Sequence, residues 1–301
     1  MTVVPPAAGE PRRPEGPRDP GDAWVVADTG ERYWGRFGAA GLLAYDAARG
    51  ILLQHRVSWS HFGGTWGLPG GALHEDETAI GGAIREAQEE AGVPDGAVRP
   101  LFTSVLDLGI WSYTTVVADV VDPFDPVISD PESVALEWVP LDAVDGRPLH
   151  PGFAAAWPAL RQQLAERPVL VVDAANVVGS VPDGWWKDRA GAASRLRSRL
   201  EGLAVPADAL ELGGDVWFPA VSLVVEGQAR GIEAGSGRVS VVEAEGAGDD
   251  AIVAEVERRI ADGRTVVAVT SDRELQERVA RAGAARVRSA GWLRDLLENR
   301  G

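Results

Sequence analysis

The sequence lacks cysteine and has little histidine, and these two shortages exclude several kinds of site. None of the 301 residues is a cysteine, and only four are histidines. Without a thiol the chain can form no disulfide, iron–sulfur cluster or thiolate zinc site, and it has no cysteine nucleophile. A zinc site built from histidine is not expected either. Any metal site in this protein is therefore expected to use oxygen ligands.

Long hydrophobic runs are also missing. No segment approaches the roughly 18 apolar residues of a membrane-spanning helix, and residues 1–22 lack the apolar centre of a signal peptide. These first 22 residues are rich in proline, glycine and charge, which predicts a disordered tail. We therefore expect a soluble cytoplasmic protein with no membrane contact.

Positive charge is scarce in the first half of the chain. Residues 1–165 hold 23 acidic and 11 basic side chains, a net charge of −12, and residues 166–301 hold 22 and 18, a net charge of −4. An acidic first half repels polyanions, which argues against nucleic acid as its ligand but not against a small nucleotide carried with a metal. The nearly balanced second half leaves nucleic acid open without favouring it.

Two different patterns of strands and helices divide the chain at Arg167–Pro168. For the first part we predict a glycine-rich loop over residues 63–71, strands over 37–45, 50–55, 101–108, 112–121 and 136–139, and helices over 78–91 and 152–166. For the second part we predict strands over 169–172, 221–225, 239–242 and 265–269, and helices over 186–203, 249–261, 273–282 and 292–299. Short apolar strands that alternate with helices are typical of an α/β domain with a mostly parallel sheet. The predicted domains are residues 23–166 and 167–301.

Three glutamates in the first part are spaced to lie on one side of a helix. Glu86, Glu89 and Glu90 stand at i, i+3 and i+4, where like charges destabilise an isolated helix by about a few tenths of a kcal/mol per pair. A divalent cation would turn this repulsion into a binding site, and ligands made only of oxygen favour Mg²⁺ or Mn²⁺. A solvated acidic face would explain the glutamates alone. It does not explain why glycines, Glu77 and Arg85 also fall at fixed offsets from them.

Those offsets match the signature G-x5-E-x7-R-E-U-x-E-E-x-G-U of Nudix hydrolases, in which U is a bulky aliphatic residue. The matching residues are Gly71, Glu77, Arg85, Glu86, Glu89, Glu90, Gly92 and Val93. Ala87 at the first U position is a small departure that leaves the acidic residues untouched. The segments Trp-Gly-Leu-Pro-Gly-Gly at 66–71 and Glu-Trp-Val at 137–139 also resemble this family. The resemblance covers residues 35–165 and implies an α/β/α sandwich.

The Nudix resemblance implies hydrolysis of a nucleoside diphosphate linked to another group. Metal ions would bridge the pyrophosphate and lower the pKa of the attacking water. The implied metal ligands are Glu86, Glu89 and Glu90. Arg85 would orient a glutamate through a charge-assisted hydrogen bond, and Glu77 would stabilise the segment around the helix. The general base is either a glutamate of the signature or one from a later loop, for which Glu132 is a candidate.

The substrate is less constrained by the sequence. The resemblance implies a nucleoside triphosphate, including an oxidised dGTP-like nucleotide, that is cut to the monophosphate and pyrophosphate; ADP-ribose or another nucleotide sugar stays open. Candidate substrate contacts are His55, Arg56, Gly70 and Gly71. Four aromatic residues could stack on a base, although most are expected to pack in the core: Trp59, Phe62, Trp66 and Trp111.

Acidic and polar side chains follow the strands of the second part. They are Asp173, Asn176, Glu226, Asp249, Asp250, Ser271 and Asp272. Because the carboxyl ends of parallel strands share one edge of a sheet, these side chains could form a second oxygen-only cation site. Aspartate is also a common helix N-cap, and Asp250 or Asp272 could serve only as an N-cap without binding a metal.

The sequences around these acids resemble NYN domains of the PIN-like nuclease class. The resemblance rests on Val-Val-Asp-Ala-Ala-Asn at 171–176, Gly-Asp-Asp at 248–250 and Thr-Ser-Asp-Arg-Glu at 270–274. It covers residues 168–298 and implies a Rossmannoid α/β/α fold that cuts RNA with Mg²⁺ or Mn²⁺. The implied ligands are Asp173, Asp249 or Asp250, and Asp272, with Asn176 and Ser271 in support and Glu226 a weaker candidate.

RNA would need a surface beside that site. Trp185, Trp186, Lys187 and Arg189 could hold a strand by stacking and charge, or the tryptophans could pack against the sheet while Arg189 is solvated. Two other functions stay open for the chain. The second domain could be an inactive fold that binds RNA or a protein partner, or both domains could form a nucleotide sensor that binds without cutting. The intact Nudix signature argues against the sensor.

Overall fold

The computed structural model describes residues 1–6, 21–181, 184–234 and 237–298, and it divides the chain into two compact units. The first unit comprises Met1–Gln163 with Gly213–Val216, and the second comprises Leu164–Leu212 with Trp217–Gly301. The segment 213–216 was predicted to belong to the second domain. It joins the first unit because the Asp215 N–H donates to the Thr103 carbonyl at 2.8 Å and its carboxylate accepts from the Val105 N–H at 2.6 Å. No helix within the described ranges is long and apolar enough to cross a membrane.

A small antiparallel sheet begins the first unit. Its strands are β1 (Thr2–Val4), β2 (Trp24–Val26) and β3 (Arg32–Trp34), in that order. The predicted disordered tail over residues 1–22 therefore differs from the structure at its start. Thr2, Val3 and Val4 are β-branched residues that favour a strand, and they pair with β2. The part of that prediction over residues 7–20 lies outside the described residues.

A larger mixed sheet forms the centre of the first unit. Its strands are β4 (Ala39–Asp46), β5 (Gly50–Arg56), β6 (Trp66–Gly67), β7 (Gly70–Ala72), β8 (Val98–Asp107), β9 (Ser112–Val120) and β10 (Ser133–Val139). Along its main path the order is β10-β5-β4-β9-β8, with β6 on β5 and β7 on β4, and only β4 and β9 run parallel within this set. Leu42 and Leu52 pack on one face, and the alternating Leu43 and Leu53 are also fully buried. Both faces of the sheet are therefore covered, as an α/β sandwich requires.

Helix α1 (Ala79–Ala91) packs against this sheet through alanines. The helix begins after Thr78, whose hydroxyl accepts from the Gly81 N–H, and it ends at Gly92 in the left-handed conformation at φ +63°. Ala83, Ala87 and Ala91 are fully buried in the core. The small side chain at Ala87 thus brings the helix close to the strands. Helix α2 (Pro151–Gln163) buries Phe153, Trp157 and Leu160.

The second unit contains a parallel sheet and several helices. Its strands are β11 (Pro168–Asp173), β12 (Val205–Pro206), β13 (Val216–Trp217), β14 (Ala220–Val225), β15 (Val239–Glu243), β16 (Thr265–Val269) and β17 (Arg286–Arg288). Its helices are α3 (Ala174–Gly179), α4 (Arg189–Leu200), α5 (Gly248–Ala261), α6 (Arg273–Arg281) and α7 (Ala290–Glu298). Strand β13 begins at Val216, the last residue of the segment that belongs to the first unit. Five strands form an all-parallel sheet in the order β15-β14-β11-β16-β17. The predicted α/β class with a parallel sheet is confirmed.

The order of strands reverses at the centre of this sheet. From β11 the chain adds β14 and β15 on one side and then β16 and β17 on the other. In such sheets ligands bind beyond the carboxyl ends of the strands where the order reverses. The predicted helix over 186–203 starts later, at Arg189, because Asp188 caps it by accepting from the Gly191 N–H.

Candidate active site

Two glutamates of α1 are buried beneath the glycine-rich strand β7. Glu86 and Glu90 lie one turn apart, with 5% and 4% of their surfaces exposed. The Gly70 N–H donates to Glu90 Oε2 at 2.9 Å, and a Cβ added to Gly71 would lie 2.8 Å from Glu86 Oε1. A side chain at Gly71 would collide with the Glu86 carboxylate, and one at Gly70 would collide with the backbone of Ala40 and Gly41, so glycine allows the close approach of this strand.

Arg85 joins the helix to the segment before it. Its Nε and Nη2 donate to the two carboxylate oxygens of Glu77 at 2.8 and 2.9 Å, and its Nη1 donates to Glu86 Oε1 at 2.8 Å. The paired Arg85 guanidinium lowers the pKa of Glu77 to about 2. Glu77 also accepts from the His74 N–H at 3.0 Å. The ion pair therefore fixes both the loop and the orientation of the Glu86 carboxylate.

Glu132 and Arg56 lie beside the buried carboxylates. The Val57 N–H donates to the Glu132 carbonyl at 3.0 Å, which fixes the loop that carries this half-buried glutamate. The negative charge of Glu132 raises the pKa of Glu90, and the positive charge of Arg56 lowers it. Within the described residues the Arg56 guanidinium has no hydrogen bond or ion pair, and its Nε is buried. An arginine guanidinium in this position can bind an anionic ligand.

Comparison with known proteins identifies the family of this unit. The NUDIX domain family matches residues 35–163. A Mycobacterium tuberculosis protein described as "Putative 8-oxo-dGTP diphosphatase 3" is 46% identical over 183 residues, which cover 58% of this chain and 82% of the relative. The chain belongs to the Nudix family. It is accordingly a Nudix pyrophosphohydrolase, an enzyme that acts on phosphoanhydride bonds.

Two further similarities fall on the Nudix unit. A "Nucleoside triphosphate pyrophosphatase/Nudix hydrolase fusion protein" of Bifidobacterium longum is 38% identical over 160 residues, which cover 50% of this chain and 33% of the relative. The crystal structure of the M. smegmatis Nudix hydrolase RenU is 47% identical and has a TM-score of 0.44. That similarity covers 48% of this chain and 96% of the RenU chain.

The Nudix family uses divalent metals, and the donors of this site fit a small hard cation. Burial, and then the charge of Glu86, raise the pKa of Glu90 to about 8. A cation would replace the proton that this buried pair of carboxylates otherwise holds, and carboxylate oxygens are ligands that Mg²⁺ accepts. Glu89 lies at the rim, 3.7 Å from Arg85 and with its side chain 39% exposed. Across the described ranges no three acidic or histidine side chains are arranged as a metal site as they stand.

The other predicted substrate contacts of the Nudix unit have different surroundings. His55 stacks on Trp66 with ring centroids 4.7 Å apart, and its Nε2 lies 3.3 Å from the Gly64 carbonyl. It is therefore occupied by protein contacts. Tyr113 was missed by sequence reasoning: its hydroxyl lies over Gly41, and burial, Glu90 and Glu86 raise its pKa. No local pattern predicts this, because the parallel pairing of β4 with β9 brings the residue there.

The second unit brings most of its predicted polar residues to one edge of the sheet. Asp173 accepts from the Asn176 N–H at 3.0 Å and from the Thr270 hydroxyl at 2.9 Å, and Asn176 Oδ1 accepts from the Ser271 N–H at 2.9 Å. Glu226 accepts from the Gly248 N–H at 2.9 Å. Thr270 is a buried member of this group that sequence reasoning missed.

The acidic residues at this edge influence one another. Burial raises the pKa of Asp173, and the charges of Asp249 and Glu226 raise it further. The pKa of Asp249 is raised by burial and then by Asp272. Asp272 also caps α6 by accepting from the Leu275 N–H. Asp250 stands apart from them, because its exposed side chain pairs with Arg278.

The predicted RNA surface forms a short aromatic group in the second unit. Trp185 and Trp186 have ring centroids 6.2 Å apart, and the Arg189 guanidinium lies 5.4 Å from the Trp185 ring centroid. Trp186 is 55% exposed, so it does not pack against the sheet. Lys187 ends the same turn. The group thus offers a ring and positive charge to solvent.

Proposed function

We propose that the Nudix unit hydrolyses a nucleoside triphosphate to the monophosphate and pyrophosphate, with an oxidised dGTP-like nucleotide as the first candidate. The observation that carries this proposal is the buried pair Glu86 and Glu90 beneath a glycine strand, with Arg56 beside it. The 8-oxo-dGTP diphosphatase named among the relatives supports the choice of nucleotide.

Each charged group has a role in this proposal. Glu86, Glu89 and Glu90 would hold Mg²⁺ or Mn²⁺, with Arg85 fixing Glu86. When bound, the cation screens the phosphate charges and lowers the pKa of a water molecule. Glu132 would accept a proton from the attacking water, and the oxygen of this water would bond to the α-phosphorus.

The substrate contacts complete the reaction. The anhydride bond to the β-phosphate breaks, and pyrophosphate leaves with the bonding electrons. Arg56 binds the phosphates through its guanidinium, whose buried Nε has no hydrogen-bond partner among the described residues. The backbone at Gly70 and Gly71 borders the phosphate path, and His55 supports the adjoining wall through its stack on Trp66.

A panel of nucleotides tests this proposal. Hydrolysis of 8-oxo-dGTP, dGTP and ADP-ribose would be measured with Mg²⁺ and with Mn²⁺, as pyrophosphate release from the two triphosphates and as AMP formation from ADP-ribose. We expect 8-oxo-dGTP to give the highest kcat/KM and pyrophosphate as the product. Faster turnover of ADP-ribose would assign the site to a nucleotide sugar, and binding without turnover of all three nucleotides would contradict hydrolysis.

We propose further that the second unit has a NYN-like fold and cuts RNA with Mg²⁺ or Mn²⁺. The supporting observation is that acidic side chains meet at one edge of a parallel sheet: the charges of Asp249 and Glu226 raise the pKa of Asp173, and the charges of Asp272 and Glu226 raise the pKa of Asp249. Asn176 and Ser271 connect two of the strand ends. An exposed ring at Trp186 and the charge of Lys187 and Arg189 could hold the strand.

The full chain can test RNA cleavage separately from nucleotide hydrolysis. A Glu90→Gln chain, in which the Nudix site is disabled, would be incubated with end-labelled oligouridylate and Mn²⁺. We expect cleavage, and its loss when Asp173→Asn is added. Binding of the RNA without cleavage would instead favour an inactive RNA-binding fold.

A further inference from the structure

Phe62 adopts a backbone conformation that bulky residues avoid. It lies in the loop between β5 and β6 at φ +55°, in the left-handed region that favours glycine. The loop holds it there: the Thr65 hydroxyl donates to the Phe62 carbonyl at 2.6 Å, and the Gly63 N–H donates to the Ser60 carbonyl at 2.9 Å. Strain of this kind is typical of ligand-binding positions, where the surrounding contacts maintain it.

The strained residue presents an aromatic wall. We use the name Phe62 wall for His61, Phe62 and His150, whose rings meet edge to face. The Phe62 centroid lies 4.3 Å from His61 and 4.8 Å from His150. Phe62 is nevertheless 46% exposed, so one side of its ring is open to a ligand. An exposed aromatic face can stack on a nucleotide base.

His150 can act as a hydrogen-bond donor beside this ring. Burial, and then the charge of Arg56, lower its pKa to about 4, so the imidazole is neutral at physiological pH. Its Nδ1 accepts from the Gly152 N–H at 3.2 Å. The ring proton must then lie on Nε2. Within the described residues Nε2 has no partner, and it is left to donate to a ligand.

Arg56 connects this wall to the phosphate end of the site. Its positive charge lowers the pKa values of His61 and His150, and it also lowers the pKa of Glu90. A Cβ added to Gly67 of β6 would lie 3.5 Å from His150 Cβ and 3.9 Å from Arg56 Cδ, so the Arg56 and His150 side chains flank the same strand. A nucleotide has the same order of parts, with phosphates at one end and an aromatic base at the other.

We propose that Phe62 stacks on the base of the nucleotide and that His150 Nε2 donates a hydrogen bond to an acceptor on its edge. A purine nucleotide fits best, because its double ring offers the larger stacking area and its edge carries carbonyl or ring-nitrogen acceptors. The inference rests on the proposed nucleotide hydrolysis and names the residues that select the base.

Phe62→Gly separates the binding role from a structural one. Glycine accepts φ +55° without strain, so the variant should keep its melting temperature while it loses the ring. We expect KM for 8-oxo-dGTP to rise by about tenfold with kcat within about threefold, as for the loss of one stacked base. Inhibition by inorganic triphosphate, which has no base, should be unchanged. The matched control is Asp76→Gly, at an exposed residue that also has a positive φ, of +62°, and it should leave KM unaltered.

Variants of His150 test the proposed hydrogen bond independently of the stacking by Phe62. His150→Gln keeps an N–H donor and should retain most of the affinity, whereas His150→Leu removes it and should raise KM for 8-oxo-dGTP several-fold. An unchanged KM in Phe62→Gly, or an equal loss of triphosphate inhibition, would overturn the inference. Failure of the proposed function would look different, because the parent enzyme itself would then release no pyrophosphate.

Discussion

The two acidic sites of this chain are built in different ways. The Nudix site takes the three glutamates proposed as metal ligands from one helix, within a signature of 23 consecutive residues from Gly71 to Val93. The site of the second unit takes them from the ends of separate strands and the helices that follow, from Asp173 to Asp272. The first arrangement is fixed by helical periodicity, and the second exists only after the sheet has formed.

The two sites also differ in how their negative charge is compensated. In the Nudix unit, Arg85 donates directly to the buried Glu86. In the second unit, the polar partners of Asp173 are the uncharged Thr270 hydroxyl and the Asn176 N–H, and Arg278 pairs with acids at the rim. Among the described residues, the buried Asp173 therefore has no arginine partner of the kind that Glu86 has.

The largest expected effect comes from the Nudix site. Glu90→Gln should lower kcat/KM for pyrophosphate release by about a thousandfold, since it removes a carboxylate that would hold the cation. Circular dichroism should show an intact fold, because glutamine can still accept from the Gly70 N–H. The matched control is Glu75→Gln, at an exposed position near the same helix, which should keep full activity. Full activity of Glu90→Gln would refute its assignment as a metal ligand.

A somewhat smaller effect is expected in the second unit. Asp173→Asn should lower RNA cleavage by about a hundredfold, because a carboxylate close to Glu226 and Asp249 is lost. Asparagine is also an N-cap residue, so helix α3 should persist. Glu257→Gln on the exposed face of α5 serves as the control. Cleavage by Asp173→Asn at the parent rate would show that this edge of the sheet is not the site.

The same contrast explains what the sequence could predict. The helix that carries Glu86, Glu89 and Glu90 was predictable to within one residue, because its alanine face, Thr78 cap and terminal Gly92 are local features. The parallel sheet of the second unit followed from its short apolar strands. The gathering of Asp173, Asp249 and Asp272 at one edge needed only the rule that parallel strand ends coincide.

Other features depend on contacts that no local pattern contains. Strand β7 was expected to be part of a glycine-rich loop, since glycine is a poor strand former; it is a strand because β4 pairs with it. The assignment of residues 213–216 to the first unit depends on pairing with Thr103, more than 100 residues away. The placement of Tyr113 likewise arises from tertiary packing, because the parallel pairing of β4 with β9 brings it over Gly41.

The close approach of β7 to the carboxylates gives a third, smaller effect. Gly71→Ala would place a Cβ 2.8 Å from Glu86 Oε1, so this carboxylate must shift. We expect kcat to fall by about tenfold, since small displacements of a catalytic group cost about this much. Gly146→Ala, where an added Cβ meets nothing within 4 Å, should have no effect. Equal kinetics for both variants would mean that the orientation of Glu86 does not limit the reaction.

The smallest effect concerns stability and its dependence on pH. Glu77 has a folded-state pKa of about 2, below its ordinary value of 4.5, because it accepts two hydrogen bonds from Arg85. Its ionised form is therefore favoured by folding, and the ion pair contributes fully above about pH 4.5 and is lost as the pH falls towards 2. After allowance for solvent screening, Glu77→Gln should lower the free energy of unfolding by about 1–2 kcal/mol at pH 7.

Urea denaturation of the parent and the Glu77→Gln variant, monitored by tryptophan fluorescence, measures this difference. The gap in unfolding free energy should be constant between pH 7 and about pH 5 and should narrow below that, because the parent then begins to protonate Glu77 in its unfolded state. Glu75→Gln, two residues earlier and exposed, should match the parent at every pH. A gap that persists unchanged into the acid range would show that Glu77 stabilises the loop by packing and hydrogen bonding alone, and the charge of Arg85 would then be compensated chiefly by Glu86.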